Sequence, residues 1–231
     1  MKSVARRPTI RSLVVLALGL VMGCATSGAA GSPTSAALRG MVYNASRMPV
    51  LDMKVSLVRD GKPVAFATTD IHGRYFIPDV PYGPVILQFT KEGYEPLDWS
   101  FTFEKPTQVV YVQVINLNEL LDKMADAIQK RDWTGATSLL GRIRKMEPDN
   151  EVAAYLEAEM VSRQGDPERA AALLENLSES KDSCLAVELA LADLYEKKLD
   201  QPDKALFHLK KAAMIQDDVD IKRRIEEMEG R

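Results

Sequence analysis

Asp132-Trp133-Thr134-Gly135-Ala136 returns 34 residues later as Asp166-Pro167-Glu168-Arg169-Ala170, and 35 residues after that as Gln201-Pro202-Asp203-Lys204-Ala205. Each Ala is followed four residues on by a Leu (Leu140, Leu174, Leu209), and the next apolar position is Ile143, Leu177 or Ala212. That spacing keeps one helical face apolar. A unit this short cannot bury such a face alone, so successive units must stack into one continuous core. The recurring Ala marks a place where two helices approach too closely for a branched side chain. From Leu117 onward the chain is therefore committed to stacked helical hairpins.

The period, the helix-turn-helix pattern and the crossing Ala resemble the tetratricopeptide repeat. The resemblance places repeats at 117–150, 151–184 and 185–219, with one inserted residue in the third turn. Pro148 matches the closing proline of that family in the first repeat. Ala192 and Tyr195 match the small and aromatic positions of the first helix in repeat three; repeat two has Ala158 and Val161 there, and repeat one has Met124 and Ala127. Ile221, Ile225 and Met228 form a single apolar stripe on a last helix within 220–230, as a cap on the open end of a solenoid requires. Lys222-Arg223-Arg224 sits among Glu226, Glu227 and Glu229, so it reads as a solvated face. The resemblance implies a concave surface that binds segments of other proteins. Carried over position by position, it includes Asn118, Leu121, Ala125 and Gln129, and the partner-binding set Tyr155, Glu159, Arg163, Leu189, Asp193 and Lys197.

Residues 38–115 have a different grain, with short β-rich runs between turn residues. Val55 and Leu57 alternate with polar neighbours, as do Val64, Phe66 and Thr68, then Tyr75 and Ile77, then Val85, Leu87 and Phe89. Leu97, Trp99, Phe101 and Phe103 share one phase, which places Trp99 in the core; the nearly continuous run 109–115 reads as a central strand. With a first strand over 38–44 there are about seven strands, enough for a two-sheet sandwich. Gly40-Met41-Val42, Pro49, the stretch Thr69-Asp70-Ile71-His72-Gly73-Arg74-Tyr75, Val80-Pro81-Tyr82-Gly83 and Lys91-Glu92-Gly93-Tyr94 together resemble the carboxypeptidase regulatory-like domain of transthyretin-like topology. The resemblance implies a structural turn at 69–75 and no chemistry. Asp70 and His72 lack the third and fourth ligands a zinc site needs, so His72 is expected to be an exposed turn residue and no metal is expected.

The N-terminus supplies an address. Lys2, Arg6, Arg7 and Arg11 precede an apolar run from Ser12 to Val21, too short to span a bilayer. Val21-Met22-Gly23-Cys24 then resembles the bacterial lipobox. The resemblance implies a signal peptide over 1–23, cleavage between Gly23 and Cys24, and a covalent lipid on Cys24 as the chain's sole cofactor-like group. Residues 24–37 are small and uncharged, the composition of a flexible linker. Ala25 after the Cys points to the outer membrane, facing the periplasm. Cys184, followed by the apolar Leu185-Ala186-Val187, is expected to be buried and inert.

Removing residues 1–23 takes away four of the 30 basic residues and no acidic one, leaving 26 against 33 and a net charge of −7. No basic face interleaved with aromatics argues for nucleic acid. No nucleophile elbow, phosphate loop or metal-ligand spacing argues for an enzyme. The sequence therefore reads as a multidomain chain, all-β then all-α. It is a seven-stranded β-sandwich followed by a three-repeat tetratricopeptide α-solenoid (116–231) with a C-terminal capping helix. Its expected role is that of a membrane-anchored, non-catalytic adaptor binding a short segment of an envelope protein. The alternative is a cell-wall or carbohydrate-binding lipoprotein using the sandwich, with Trp99, Tyr82 and Tyr94 as candidate sugar platforms.

Overall fold

Alternating apolar residues between glycine-containing turns fold into seven strands. The computed structural model describes residues 34–179 and 184–230; the leader, the Gly23-Cys24 lipobox and the linker up to residue 33 lie outside them. The strands are β1 (Ser35–Tyr43), β2 (Lys54–Arg59), β3 (Lys62–Thr68), β4 (Arg74–Pro81), β5 (Gly83–Thr90), β6 (Leu97–Phe103) and β7 (Val109–Gln113). They form two sheets, ordered β4-β1-β7 and β3-β2-β5-β6. β1 runs antiparallel to β4 and parallel to β7. The inward residues of both sheets make one core, with Leu38, Val42, Val55, Ile77, Leu87, Phe89 and Phe103 fully enclosed. β1 begins at Ser35, three residues before the start expected from sequence.

Turn chemistry explains the register. Asp60 (φ 51°) and Gly61 (φ 71°) make the two-residue connection that a tight hairpin favours. At 69–75 the Thr69 hydroxyl donates to the Val50 carbonyl at 2.6 Å and accepts from the Met53 N–H at 2.8 Å. Asp70 accepts from the N–H groups of His72 and Arg74, which holds its carboxyl below the ordinary range. Gly73 has φ 71°, and a Cβ there would lie 2.3 Å from the Val42 carbonyl oxygen, so only glycine fits. His72 itself is exposed.

Three readings of the strands are corrected. β7 is an edge strand: Val110 and Val112 point inward while Val109 and Tyr111 face out. Its unbroken apolar run reflects apolar residues on both faces, not burial of both. In β3 the small Ala65 and Ala67 turn toward the core and Phe66 is 71 % exposed. Trp99 is 41 % exposed, because β6 ends its sheet and the core stops beside it.

The helices are α1 (Leu117–Gln129), α2 (Trp133–Met146), α3 (Glu151–Gln164), α4 (Pro167–Ser178), α5 (Leu185–Lys197), α6 (Pro202–Ile215) and α7 (Val219–Glu229). Asp132, Asn150 and Asp166 cap the starts of α2, α3 and α4 by accepting from backbone N–H groups. Proline opens α4 and α6, where its missing N–H costs nothing. Ala136, Ala170 and Ala205 are completely enclosed at the α1/α2, α3/α4 and α5/α6 crossings. Three hairpins therefore stack, and α7 covers the last with Ile221. Cys184, expected to be buried, is exposed: it precedes α5 as its N-terminal cap residue, outside the packed helix face.

The sandwich passes into the helices without a spacer. Asn116 and Glu119 form a reciprocal cap at the start of α1, and Glu119 also accepts from the Ala45 N–H at 3.2 Å. The Leu117 N–H donates to the Gly93 carbonyl, and Arg142 of α2 grips Glu95 with two hydrogen bonds of 2.9 and 2.6 Å. That pairing holds the Glu95 carboxyl below its ordinary value.

Candidate functional site

The first helices of successive repeats lie side by side and leave a groove between α3 and α5. It encloses about 310 Å³. Ala158, Ala190 and Leu194 make its floor, and Tyr155, Glu159, Ser162, Asp193, Lys197 and Lys198 make its walls. The small floor residues come from the same close helix approach that selects alanine at the crossings.

Ion pairs hold the walls. Arg163 reaches Glu159 at 2.7 Å and Lys197 reaches Asp193 at 2.9 Å, both one helical turn apart. Arg224, from α7, binds Asp193 and Glu196 at 2.8 Å each. Burial pushes the Asp193 carboxyl up, but the hydrogen bonds from Lys197 and Arg224 outweigh it and hold it low. Lys198 donates to the Ser162 hydroxyl at 3.1 Å. Tyr155 is half-buried, and burial followed by the charge of Glu159 raises its phenol. Its ring also borders an apolar hollow of about 210 Å³ with Val152, Leu177 and Ala186. The groove thus offers an aromatic wall, a small apolar floor and charges of both signs. Such a surface suits an extended or helical peptide with an apolar anchor.

Of the six residues carried over from sequence, Tyr155, Glu159, Asp193 and Lys197 line this groove. Arg163 sits beside it through Glu159. Leu189 does not line it; it packs with Ala192 and Ile221 under the capping helix. In repeat one, Leu121 and Ala125 lean on the core of the first hairpin. Arg224 is the residue that sequence reasoning missed. Its triplet reads as solvated, and Lys222 and Arg223 are exposed, pairing at the surface with Asp217 and Asp220, but Arg224 turns back onto α5.

A second polar cluster lies between α4, α5 and α6. Glu188 is fully enclosed, the His208 Nδ1 is 2.7 Å from one of its oxygens, and the Ser178 hydroxyl donates to the other at 2.7 Å. Lys211 reaches the same carboxylate at 2.8 Å. Ser, His and Glu are the residue types of a nucleophilic triad, but here the hydroxyl points at the carboxylate and not at the imidazole, which activates nothing. The Tyr195 ring stacks on His208 at 5.7 Å, so the cluster is packing between helices. Tyr82 packs on Phe103, and Lys91 lies over Tyr94, so these two rings are engaged within the sandwich. Among the described residues no group of three or more His, Cys, Asp or Glu is placed to hold a metal ion, and no helix is long and apolar enough to cross a membrane.

Comparison with known proteins agrees with the helical half. Residues 127–194, from the end of α1 into α5, match the model of the tetratricopeptide repeat family. A thermophilic TPR protein of Thermus thermophilus is similar in structure at 19 % identity, covering 48 % of this chain and 63 % of its own, with a TM-score of 0.42. The TIE protein of Bacillus anthracis is similar at 14 % identity over 36 % of this chain and 17 % of its own (TM-score 0.32). The 5-hydroxyisourate hydrolase of Klebsiella pneumoniae is similar at 17 % identity over 34 % of this chain and 87 % of its own (TM-score 0.27). The chain thus spans less than two thirds of the first two of these proteins. No curated protein sequence matches it.

Proposed function

We propose that this protein is a lipid-anchored, non-catalytic adaptor of the bacterial cell envelope, most at home on the periplasmic face of the outer membrane. Cys24 carries the lipid, and the repeats capture a short segment of a partner protein. The observation that supports it is the α3/α5 groove, where Tyr155 stands over an alanine floor between paired charges. Repeats of this kind are protein-binding modules, and the sandwich is bonded directly to α1, the first helix of the repeat array. A partner segment would seat an apolar residue against Tyr155 and exchange hydrogen bonds with Asp193 and Lys197.

The test is crosslinked co-purification from detergent-solubilised native membranes, comparing the parent with Tyr155→Ala/Lys197→Glu. A partner recovered with the parent and lost with the variant supports the reading. The same partners with both proteins would move recognition away from the groove.

A further inference from the structure

The sheet β4-β1-β7 turns its outer face to solvent. Cross-strand pairing puts Phe76, Arg39 and Val109 in one row of that face, and Arg74, Met41 and Tyr111 in the next. Phe76 is 49 % exposed, Val109 45 % and Tyr111 61 %. The Arg39 guanidinium lies over the Phe76 ring at 5.4 Å. Phe66 of β3 extends the patch around β4, and the whole makes a shallow, open concavity of about 710 Å³. Two cations and no carboxylate stand in the two rows. Asp70, at the margin, already accepts from two backbone N–H groups.

We infer that this face docks on a phospholipid bilayer bearing anionic headgroups. The choice of occupant rests on the lipid-anchor reading. β1 runs through the middle of the face and starts at Ser35, and the ten small residues between it and Cys24 would span roughly 17 Å. A lipid on Cys24 therefore keeps this sheet close to the membrane, where a tether supplies an effective concentration in the millimolar range and weak docking suffices. Charge points the same way. The eight acidic and eight basic residues of 34–115 cancel, while 116–231 carries a net −7. The sandwich is thus the part of the molecule an anionic surface tolerates, and Arg39 and Arg74 mark its attractive side. Aromatic rings at headgroup depth, with arginines beside them, are the pattern of interfacial surfaces. Docking here would leave the α3/α5 groove free for its partner.

The test uses the chain starting at Ala25, which lacks both leader and lipid site but keeps the compact unit formed by residues 34–231, with its own hydrophobic cores. Its sedimentation is measured at millimolar accessible lipid, which matches the effective concentration a tether supplies, with vesicles of phosphatidylethanolamine and phosphatidylglycerol and with vesicles of phosphatidylcholine alone. Retention by the anionic vesicles is expected, falling about tenfold or more in Arg39→Gln/Arg74→Gln. It is expected to be lost in Phe76→Ser/Tyr111→Ser with the circular dichroism spectrum unchanged. Equal sedimentation with and without anionic vesicles overturns the inference, as does retention indifferent to both variants. Binding to purified cell wall, or a dimer in solution, that needs Phe76 and Tyr111 while vesicles are ignored would assign the face to a glycan or a second copy, and overturn it too. Labelled-palmitate incorporation at Cys24 of the full chain separates the two readings. Lipid on Cys24 without vesicle binding sinks the docking face alone, and vesicle binding without lipid on Cys24 sinks the anchor alone.

Discussion

Replacing Gly40 by alanine would strike the centre of the sandwich. Gly40 faces Tyr75 across the β1/β4 pair, and a Cβ there would lie 2.2 Å from Cζ and 2.3 Å from the hydroxyl oxygen of that ring. Ordinary carbon contacts are about 3.5–4.0 Å, so the ring must retreat by more than 1 Å. It has little room: Tyr75 is 3 % exposed and packs edge-on against Phe89, with ring centroids 6.0 Å apart. Overpacking of this kind costs about 1–3 kcal/mol, and the upper half applies because the ring is boxed in. Alanine recovers roughly 0.5–1 kcal/mol of the chain entropy that glycine loses in a strand. The net loss is therefore about 1–2.5 kcal/mol. Guanidinium unfolding followed by Trp99 fluorescence, in a Trp133→Phe background, would report the sandwich alone. In Tyr75→Leu, where the clashing atoms are gone, Gly40→Ala should stabilise by the roughly 0.5–1 kcal/mol of recovered entropy, giving a coupling of about 2–3 kcal/mol in the double-mutant cycle. An equal cost in both backgrounds would refute the reasoning.

Three further outcomes follow from the same structure. Among the described residues the Tyr75 hydroxyl is the buried side-chain atom without a hydrogen-bond partner, and burial raises its pKa. Tyr75→Phe should therefore leave stability unchanged or raise it by up to about 1 kcal/mol, read as the unfolding midpoint. Ala170→Leu, at a fully enclosed helix crossing, should cost about 2–3 kcal/mol by thermal unfolding of the helical half, while a leucine at the exposed Ser138 should cost almost nothing. Glu95→Gln should lose about 0.5–1 kcal/mol at neutral pH, since Arg142 then grips an uncharged amide. The carboxyl of Glu95 is depressed when folded, so its contribution is complete above the ordinary value of 4.5 and fades as pH falls through the lower, folded value. The gap between parent and variant should thus close in acid; a gap independent of pH would show that the ion pair contributes nothing.

Periodicity in the sequence was sufficient where one face of an element is apolar and the other is not. Val55/Leu57, Val85/Leu87/Phe89 and the alanine–leucine spacing of α2, α4 and α6 all lie inside, on the face their pattern indicates. It failed where both faces carry apolar residues. Phe66 is the larger hydrophobe, yet Ala65 and Ala67 pack against the core and Phe66 stands exposed. Val109 and Tyr111 made an edge strand look central, and phase alone could not show that the core ends before Trp99. Within the groove, helical register was enough to bring Tyr155, Glu159, Asp193 and Lys197 together. Arg224 and Leu189 depend on how α7 folds back on the last hairpin, a tertiary quantity that their local sequence does not encode. Cys184 is followed by apolar residues, but it stands one residue outside α5, whose buried face begins only at Val187.

The most direct test of the adaptor account is a photo-crosslinking amino acid placed at position 155, in the groove wall, and separately at the exposed position 145 on the outer helix α2. After illumination of intact cells, the account predicts a discrete adduct of one partner protein from position 155 and none from position 145. Adducts of the same protein from both positions, or from 145 alone, would contradict it.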